Sequence, residues 1–305
     1  MAFTAADVKA LRERTGCGMM DCKKALTESD GDIKKATEYL REKGLAAAAK
    51  KSGRIAAEGM AFAKTNEDGT VGAIVEVNSE TDFVSKNSEF INFVENCADA
   101  VINNGPKDLN SLLLCKLCKN CQTVGEILTE KIATIGENIK IRRFERFSGL
   151  VATYVHANGK IAVMLRAKLS DDSKNCTDEI KTALKDIAMQ IAAVNPGYLS
   201  KESVPADVLE NERRILTEQV INEGKPEAVA NKIVNGKLNK FYKENCLLEQ
   251  VFVKDSNLTV AGYLNSVGKS ASTDVAILDF VRYERGEGIE KKETNFASEV
   301  SAMVK

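Results

Sequence analysis

The chain has 305 residues, 44% hydrophobic and 29% charged, the balance of a globular protein long enough for about two domains. Its 43 Lys and Arg meet 44 Asp and Glu, a formal net charge of -1, which excludes the overall basic excess behind non-specific nucleic-acid binding. No apolar run nears the roughly 20 residues that span a bilayer, and Met1-Ala2-Phe3-Thr4-Ala5 opens neither a signal core nor an Arg-rich presequence, so a cytoplasmic protein without a membrane partner is expected.

The first 45 residues predict three short helices. Thr4 with Asp7 forms a capping box, Val8, Leu11 and Arg12 start a helix, and Thr15-Gly16 stops it. A second helix runs from about Met19 to Thr27, and a third carries Ile33, Ala36, Thr37 and Leu40 and ends at Gly44. The Ala-rich stretch Leu45 to Lys51 reads as a separate connecting helix. Through Arg54 there are 12 Lys and Arg against 8 Asp and Glu, a local excess of four positive charges.

After Ser52-Gly53 the pattern turns to strands. Arg54 to Thr65 and Val71 to Asn78 form a hairpin through Asn66-Glu67-Asp68-Gly69, with Val71, Ala73, Val75 and Val77 alternating with Gly72, Ile74, Glu76 and Asn78. A polar loop, Ser79 to Ser88, leads into a helix striped by Phe90, Phe93, Val94, Cys97 and Val101. Helices are expected around Asp108 to Cys118 and Val124 to Ile135. A similar plan then recurs: Ile139 to Phe147 and Leu150 to Ala157 as strands, a two-residue turn at Asn158-Gly159, a strand Lys160 to Leu169 and a long helix with Ile180, Leu184, Ile187 and Ile191. Pro205 to about Asn245 reads as a helical hairpin broken at Gly224-Lys225-Pro226, poor in core residues of its own and so a candidate for docking on another chain. Asp274 to Tyr283 is a strand with Val275, Ile277, Asp279 and Val281 on one face, and Thr294 to Val304 a terminal helix.

Few segments offer catalytic chemistry. Gly262 to Ser270 has five residues between its glycines where a Walker turn needs four, and no strand precedes it, so a phosphate loop is rejected. Cys115, Cys118 and Cys121 carry metal-like spacing, but zinc would need a fourth ligand, for which Cys97 is nearest in sequence and His156 the only imidazole, and a cysteine face on a helix is the favoured reading. Cys17 and Cys22 read as small buried thiols, and the eight cysteines together as reduced. His156 is the sole imidazole and sits beside no nucleophile motif, which leaves a turn-proximal histidine or a surface contact. Thr81-Asp82-Phe83-Val84 places an aromatic ring in a polar turn. Phe83 is either a staple packed back on Phe90, which the spacing favours, or an anchor that fills a pocket on a partner.

Two long segments resemble bacterial elongation factor Ts: Thr15-Gly16-Cys17-Gly18-Met19-Met20-Asp21-Cys22-Lys23-Lys24-Ala25-Leu26 and Glu76-Val77-Asn78-Ser79-Glu80-Thr81-Asp82-Phe83-Val84. Ile135-Gly136-Glu137-Asn138-Ile139 and Gly286-Glu287-Gly288-Ile289-Glu290 are similar to further segments of that family, in the same order from Thr4 to Lys305. The resemblance implies an α+β protein. Its expected parts are a ubiquitin-associated-like three-helix module over 1–53, a core N-subdomain over 54–138, a core C-subdomain over 139–200 and 246–285, a dimerisation hairpin over 201–245 and a C-terminal module over 286–305.

It also implies an exchange factor for the GTPase elongation factor Tu, without bond-breaking catalysis, cofactor, resident metal or direct nucleic-acid contact. Thr81, Asp82, Phe83 and Val84 would dislocate the magnesium of the partner, with Phe83 as the wedge and Asp82 hydrogen-bonded to the partner. Lys23, Lys51, Ile135, Gly136, His156 and Val253 would contact it. Lys254 stands where a relative has methionine and Asn295 where it has aspartate, departures that touch only peripheral contacts. A ubiquitin-type binding module, or an RNA- or metal-binding regulator, would be the alternative, and neither explains the Thr81 to Val84 loop.

Overall fold

The structure, a computed structural model, describes residues 3–117, 122–170, 176–224 and 227–290. The expected terminal helix, Asn295, Cys118 and Cys121 lie outside the described residues. Thr4 caps α1 (Ala5–Thr15) in a reciprocal box with Asp7, as its spacing predicts, and Gly16 ends the helix in the left-handed conformation. α1, α2 (Met19–Glu28) and α3 (Ile33–Lys51) close over Val8, Leu11, Cys22, Ala25, Leu26, Ala36 and Leu40. α3 does not stop at Gly44. It runs on through the Ala-rich stretch to Lys51, because Gly44 serves close packing and not termination: a Cβ there would stand 3.4 Å from the Ala133 side chain.

Two antiparallel sheets of three strands form the centre. The first has the order β1 (Glu58–Thr65), β2 (Val71–Ser79), β3 (Lys140–Ser148); the second has β4 (Leu150–His156), β5 (Ile161–Leu169), β8 (Val275–Glu284). The alternation in β2 sorts its side chains as read. Ala73, Val75 and Val77 face a helical layer of α5 (Ser88–Asn104), α6 (Leu109–Leu114) and α7 (Val124–Ile135), while Ile74 faces the second sheet. Ala61, Ala63, Ile74 and Phe147 of one sheet meet Val151, Ala162, Met164 and Tyr283 of the other. The outer face of the second sheet packs on α8 (Asp178–Val194) and α11 (Val260–Ala271) around Val163, Leu165, Ile187 and Leu264. The order through the core is helices, sheet, sheet, helices, and the fold is α+β. At Gly72 the sheets touch so closely that a Cβ would come within 2.5 Å of Val151 Cγ1.

Several sequence expectations shift in detail. β1 begins at Glu58 and not at Arg54, because the Arg54 carbonyl accepts from the Asn138 side-chain amide at 2.7 Å and not from a sheet ladder. The β4–β5 hairpin pairs His156 with Ile161, so its turn holds four residues and not two, with Ala157, Asn158 and Gly159 all at positive φ. In β8 a bulge at Leu278, between Asp279↔Arg166 and Ile277↔Ala167, reverses the alternation. Val275, Ile277 and Phe280 therefore share the helix side, while Val281 and Tyr283 turn to the first sheet. The phosphate-loop lookalike lies in helix α11.

The hairpin of α9 (Ala206–Asn222) and α10 (Glu227–Asn245) is better supplied than its sequence suggested. Leu216, Val220, Ala230, Val234 and Leu238 form a seam between its own two helices. A two-stranded ribbon, β6 (Val251–Phe252) and β7 (Asp255–Thr259), follows it.

A buried carboxylate ties the two sheets together. Glu76 on β2 is fully buried (0% exposed) and accepts from Arg142 Nη1 at 3.0 Å, Arg143 Nε at 2.6 Å, Asn78 Nδ2 at 3.1 Å and the Gly286 amide at 2.8 Å. Consecutive strand residues ordinarily point to opposite faces. Here a bulge, with Glu76 opposite Arg143 and Val77 opposite Ile141, leaves Arg142 as the extra residue and brings both guanidinium groups to one acid. Gly286 has φ +70, and a Cβ on it would lie 2.0 Å from the Ala57 carbonyl oxygen. Gly286→Ala should therefore cost about 3 kcal/mol or more through backbone strain and this clash, read as a lower urea midpoint at unchanged slope.

Candidate functional site

The site grows from the end of β2. Past Ser79 the chain leaves the sheet, so the amides of Glu80 and Thr81 lose their ladder partners. Both donate to one oxygen of Glu137, Oε2, at 3.0 Å, and the Thr81 hydroxyl donates to Oε1 at 2.6 Å. The exchange is mutual: the Asn138 amide donates to Glu80 Oε1 at 2.6 Å, and Arg54 Nη1 lies 3.4 Å from the same oxygen. Gly136, at φ +85, ends α7 and turns the chain toward the loop.

From this anchor starts a single helical turn, α4 (Asp82–Ser85), whose capping residue Thr81 makes no side-chain cap of its own. The turn separates two neighbouring apolar residues. Val84 is 6% exposed and joins the cluster that holds Phe90, whereas Phe83 is 80% exposed. The staple on Phe90 is thereby overturned, since Val84 occupies the inward side of the turn and the Phe83 ring points to solvent. The Lys86 ammonium donates to Asp82 Oδ2 at 2.7 Å and lies 5.9 Å from the centroid of the Phe83 ring. That hydrogen bond holds the Asp82 carboxyl below the usual carboxylate range. Phe83 is thus a large apolar side chain displayed on a tied-down turn.

The other candidate contacts fall into two groups. Lys51 donates to the Ile132 carbonyl at 3.3 Å, and Ile135 packs against the first core, so Lys51, Ile135 and Gly136 converge with Thr81 at the end of α7. Lys23 is exposed on α2, apart from this network. His156 is exposed at the β4–β5 turn, its Nδ1 3.1 Å from the Tyr154 hydroxyl. That turn rests on β1, where the Gly159 carbonyl accepts from the Ala61 amide at 2.8 Å. Val253, 51% exposed, projects at the bend of the β6–β7 ribbon and is held there by its amide, which donates to buried Gln190 at 2.8 Å. Sequence reasoning quoted Glu137 without singling it out. An acid placed directly after a helix-ending glycine was the available signal.

The elongation factor TS family profile matches residues 80–287. The chain is 50% identical over 306 residues to elongation factor Ts of Clostridium kluyveri and 52% identical over 304 residues to that of Clostridium perfringens, with 99% of each chain covered in both cases. It is also 47% identical over 307 residues to elongation factor Ts of Trichlorobacter lovleyi, covering 99% of this chain and 98% of the relative. The chain belongs to the elongation factor Ts family. It is accordingly a factor of translation elongation, in protein biosynthesis.

Within that family the departure at Lys254 gains a local explanation. Lys254 pairs with Asp186 Oδ1 at 2.7 Å, and the Tyr263 hydroxyl donates to Asp186 Oδ2 at 3.2 Å, while its ring stacks on Phe252 at 4.2 Å. Burial, then the Asp186 charge, pushes the Tyr263 hydroxyl from 10.0 up to about 12. The folded state therefore favours the neutral phenol. This contribution to stability is complete below pH 10 and disappears as pH rises through about 12. Tyr263→Phe should remove that part of the alkaline loss, measured as urea midpoints across the same range.

The described cysteines form no metal-holding cluster to set beside the loop. α6 ends at Leu114, so Cys115 is already extended and does not belong to a helical face, while Cys118 and Cys121 lie outside the described residues. Its thiol donates to the Ser111 carbonyl at 3.3 Å. Among the described residues no group of three or more His, Cys, Asp and Glu could hold a metal. Burial raises the thiols of Cys17 and Cys115, and that of Cys97 far more. Among the described residues no helix is long and apolar enough to cross a membrane.

Proposed function

We propose that the chain is the guanine-nucleotide exchange factor for elongation factor Tu, and that Phe83 is the wedge that displaces magnesium from the nucleotide site of the partner. The display of Phe83 carries this reading: a ring 80% exposed on a turn whose start is held by three hydrogen bonds to Glu137. An exposed aromatic on a fixed support suits a hot spot, because little ordering entropy remains to be lost on docking.

A translational GTPase holds GDP through backbone amides and a magnesium ion that neutralises phosphate charge. Dislodging the ion weakens the nucleotide. By linkage, the nucleotide weakens the grip of the exchange factor by the same factor, so GTP entry expels it and the cycle closes. Phe83 need only prefer the open GTPase, since equal affinity for both states shifts nothing. Lys23, Lys51, Ile135, Gly136, His156 and Val253 are proposed as further contacts, and Lys23, His156 and Val253 present exposed side chains for it. Thr81, Asp82 and Val84 serve as the mount of the wedge, and the protein breaks no bond of its own.

Stopped-flow release of a fluorescent GDP from elongation factor Tu tests the reading. Addition of this chain should accelerate release strongly, and an unchanged rate would overturn it. A homodimer through α9 and α10 is proposed as well. Light scattering after size exclusion checks it, and a monomer at working concentration would remove it.

A further inference from the structure

We infer that Glu137 is a positioning residue for exchange: its carboxylate sets the direction in which Phe83 is presented. The inference rests on the reading of Phe83 above and adds to it a residue that touches no partner.

The other attachments of the loop start are the Glu80 side chain, on the Asn138 amide and Arg54, and the Ser79 hydroxyl, which donates to the Thr81 carbonyl at 3.0 Å. Thr81 would ordinarily cap the helical turn that follows it, yet its hydroxyl is spent on Glu137 Oε1 at 2.6 Å, and α4 has no side-chain cap. The two amides that leave the ladder after Ser79 both rest on Glu137 Oε2. One carboxylate thus satisfies three donors at the point where the strand becomes the turn. The bond is not local turn chemistry, because Glu137 lies 56 residues from Thr81 in sequence. Downstream, Val84 is buried in the first core and the Ser85 hydroxyl closes on the Asp82 carbonyl at 2.6 Å.

Removing the Glu137 carboxylate therefore leaves the Glu80 and Thr81 amides and the Thr81 hydroxyl without their acceptor and loosens the segment between Ser79 and the Val84 pivot. The ring would still be displayed, but over a spread of directions. Charged and apolar contacts elsewhere would still bring the proteins together, whereas the step that needs a ring in one place would slow. This predicts a loss in maximal rate with little loss in apparent affinity. Misplacement of about 1 Å at a reacting centre can cost two orders of magnitude in rate.

The test uses the full chain and fluorescent-GDP release from elongation factor Tu across a range of exchange-factor concentrations. For Glu137→Ala we expect the maximal rate to fall about tenfold, with the half-saturating concentration within about threefold of wild type. Glu137→Gln keeps an amide oxygen for the two backbone donors and can donate to the Thr81 hydroxyl, so it should restore most of the rate. In a Phe83→Ala background, Glu137→Ala should add nothing further, because there is no ring left to aim. A wild-type maximal rate for Glu137→Ala beside a slow Phe83→Ala overturns the positioning role and leaves the wedge standing. A wild-type rate for Phe83→Ala fails the wedge itself. Equal losses in the Ala and Gln variants, or a further loss on top of Phe83→Ala, overturn the proposal in favour of a general structural role. Should Glu137→Ala not fold, Thr81→Val deletes only the hydroxyl bond. It should lower the maximal rate by about threefold, and a wild-type rate in it overturns the proposal.

Discussion

Phe83→Ala is expected to slow stimulated GDP release from elongation factor Tu by several-fold or more while leaving thermal unfolding unchanged. The two halves of this expectation have one cause. Because the ring is 80% exposed, it contributes almost nothing to the core of its own chain, and its removal opens no cavity. Burying a phenyl side chain in a partner is worth about 2 kcal/mol. If all of that were expressed in the exchange step, the loss would approach roughly thirtyfold. Binding that is equally strong before and after the ion leaves would lower the effect, since uniform binding accelerates nothing. Phe83→Leu, which keeps part of the apolar surface, should fall between. Full wild-type rates in Phe83→Ala, at matched protein and salt concentrations, would remove the ring from the mechanism.

The second large effect concerns stability. Glu76→Ala takes away the fully buried carboxylate that two guanidinium groups, an amide side chain and the Gly286 amide share. Removing one partner of a buried charge cluster typically costs about 3–5 kcal/mol, because the remaining charges stay behind without compensation. Arg142 and Arg143 keep 27% and 31% side-chain exposure, so water would offset part of this. The lower end of the range is expected, a fall in melting temperature on the order of 10 °C. Glu76→Gln should retain an acceptor for Gly286 but set an amide donor against an arginine, and so recover only part. Arg143 also bonds Glu287 at 3.0 Å and lies over the Tyr283 ring at 4.1 Å. The damage should therefore register as loosening between the two sheets. Calorimetry checks the size, and a melting temperature within a degree of wild type would contradict the role given to this acid.

Much of this was legible in residue order alone, for identifiable reasons. Thr4-x-x-Asp7 states where α1 begins because a cap is a local affair. The alternation of β2 was readable because each face meets a different layer. What failed were cases in which distant contacts decide. Gly44 looks like a stop signal until Ala133 of α7 is placed against it. Leu278 gives no sign of a bulge until its strand is paired with β5. The direction of Phe83 was read wrongly from spacing, since a four-residue turn, invisible as a period, sends Val84 inward in its stead. Glu137 lay in a quoted segment, yet its work is done 56 residues away and no local rule reports it.

The unbroken course of α3 has a mechanical consequence. A helix of 19 residues extends about 28 Å at 1.5 Å per residue, and this one is seated lengthwise on α7 by Gly44 against Ala133 and by Lys51 on Ile132. α7 in turn delivers the residue that steadies the aromatic turn. Lys23, on α2 packed against α3 through Leu26 and Leu40, and Phe83 are thus joined through one series of packed helices, like the jaws of a caliper locked at a setting. On the function proposed above, that setting fixes the spacing at which a GTPase would meet both residues.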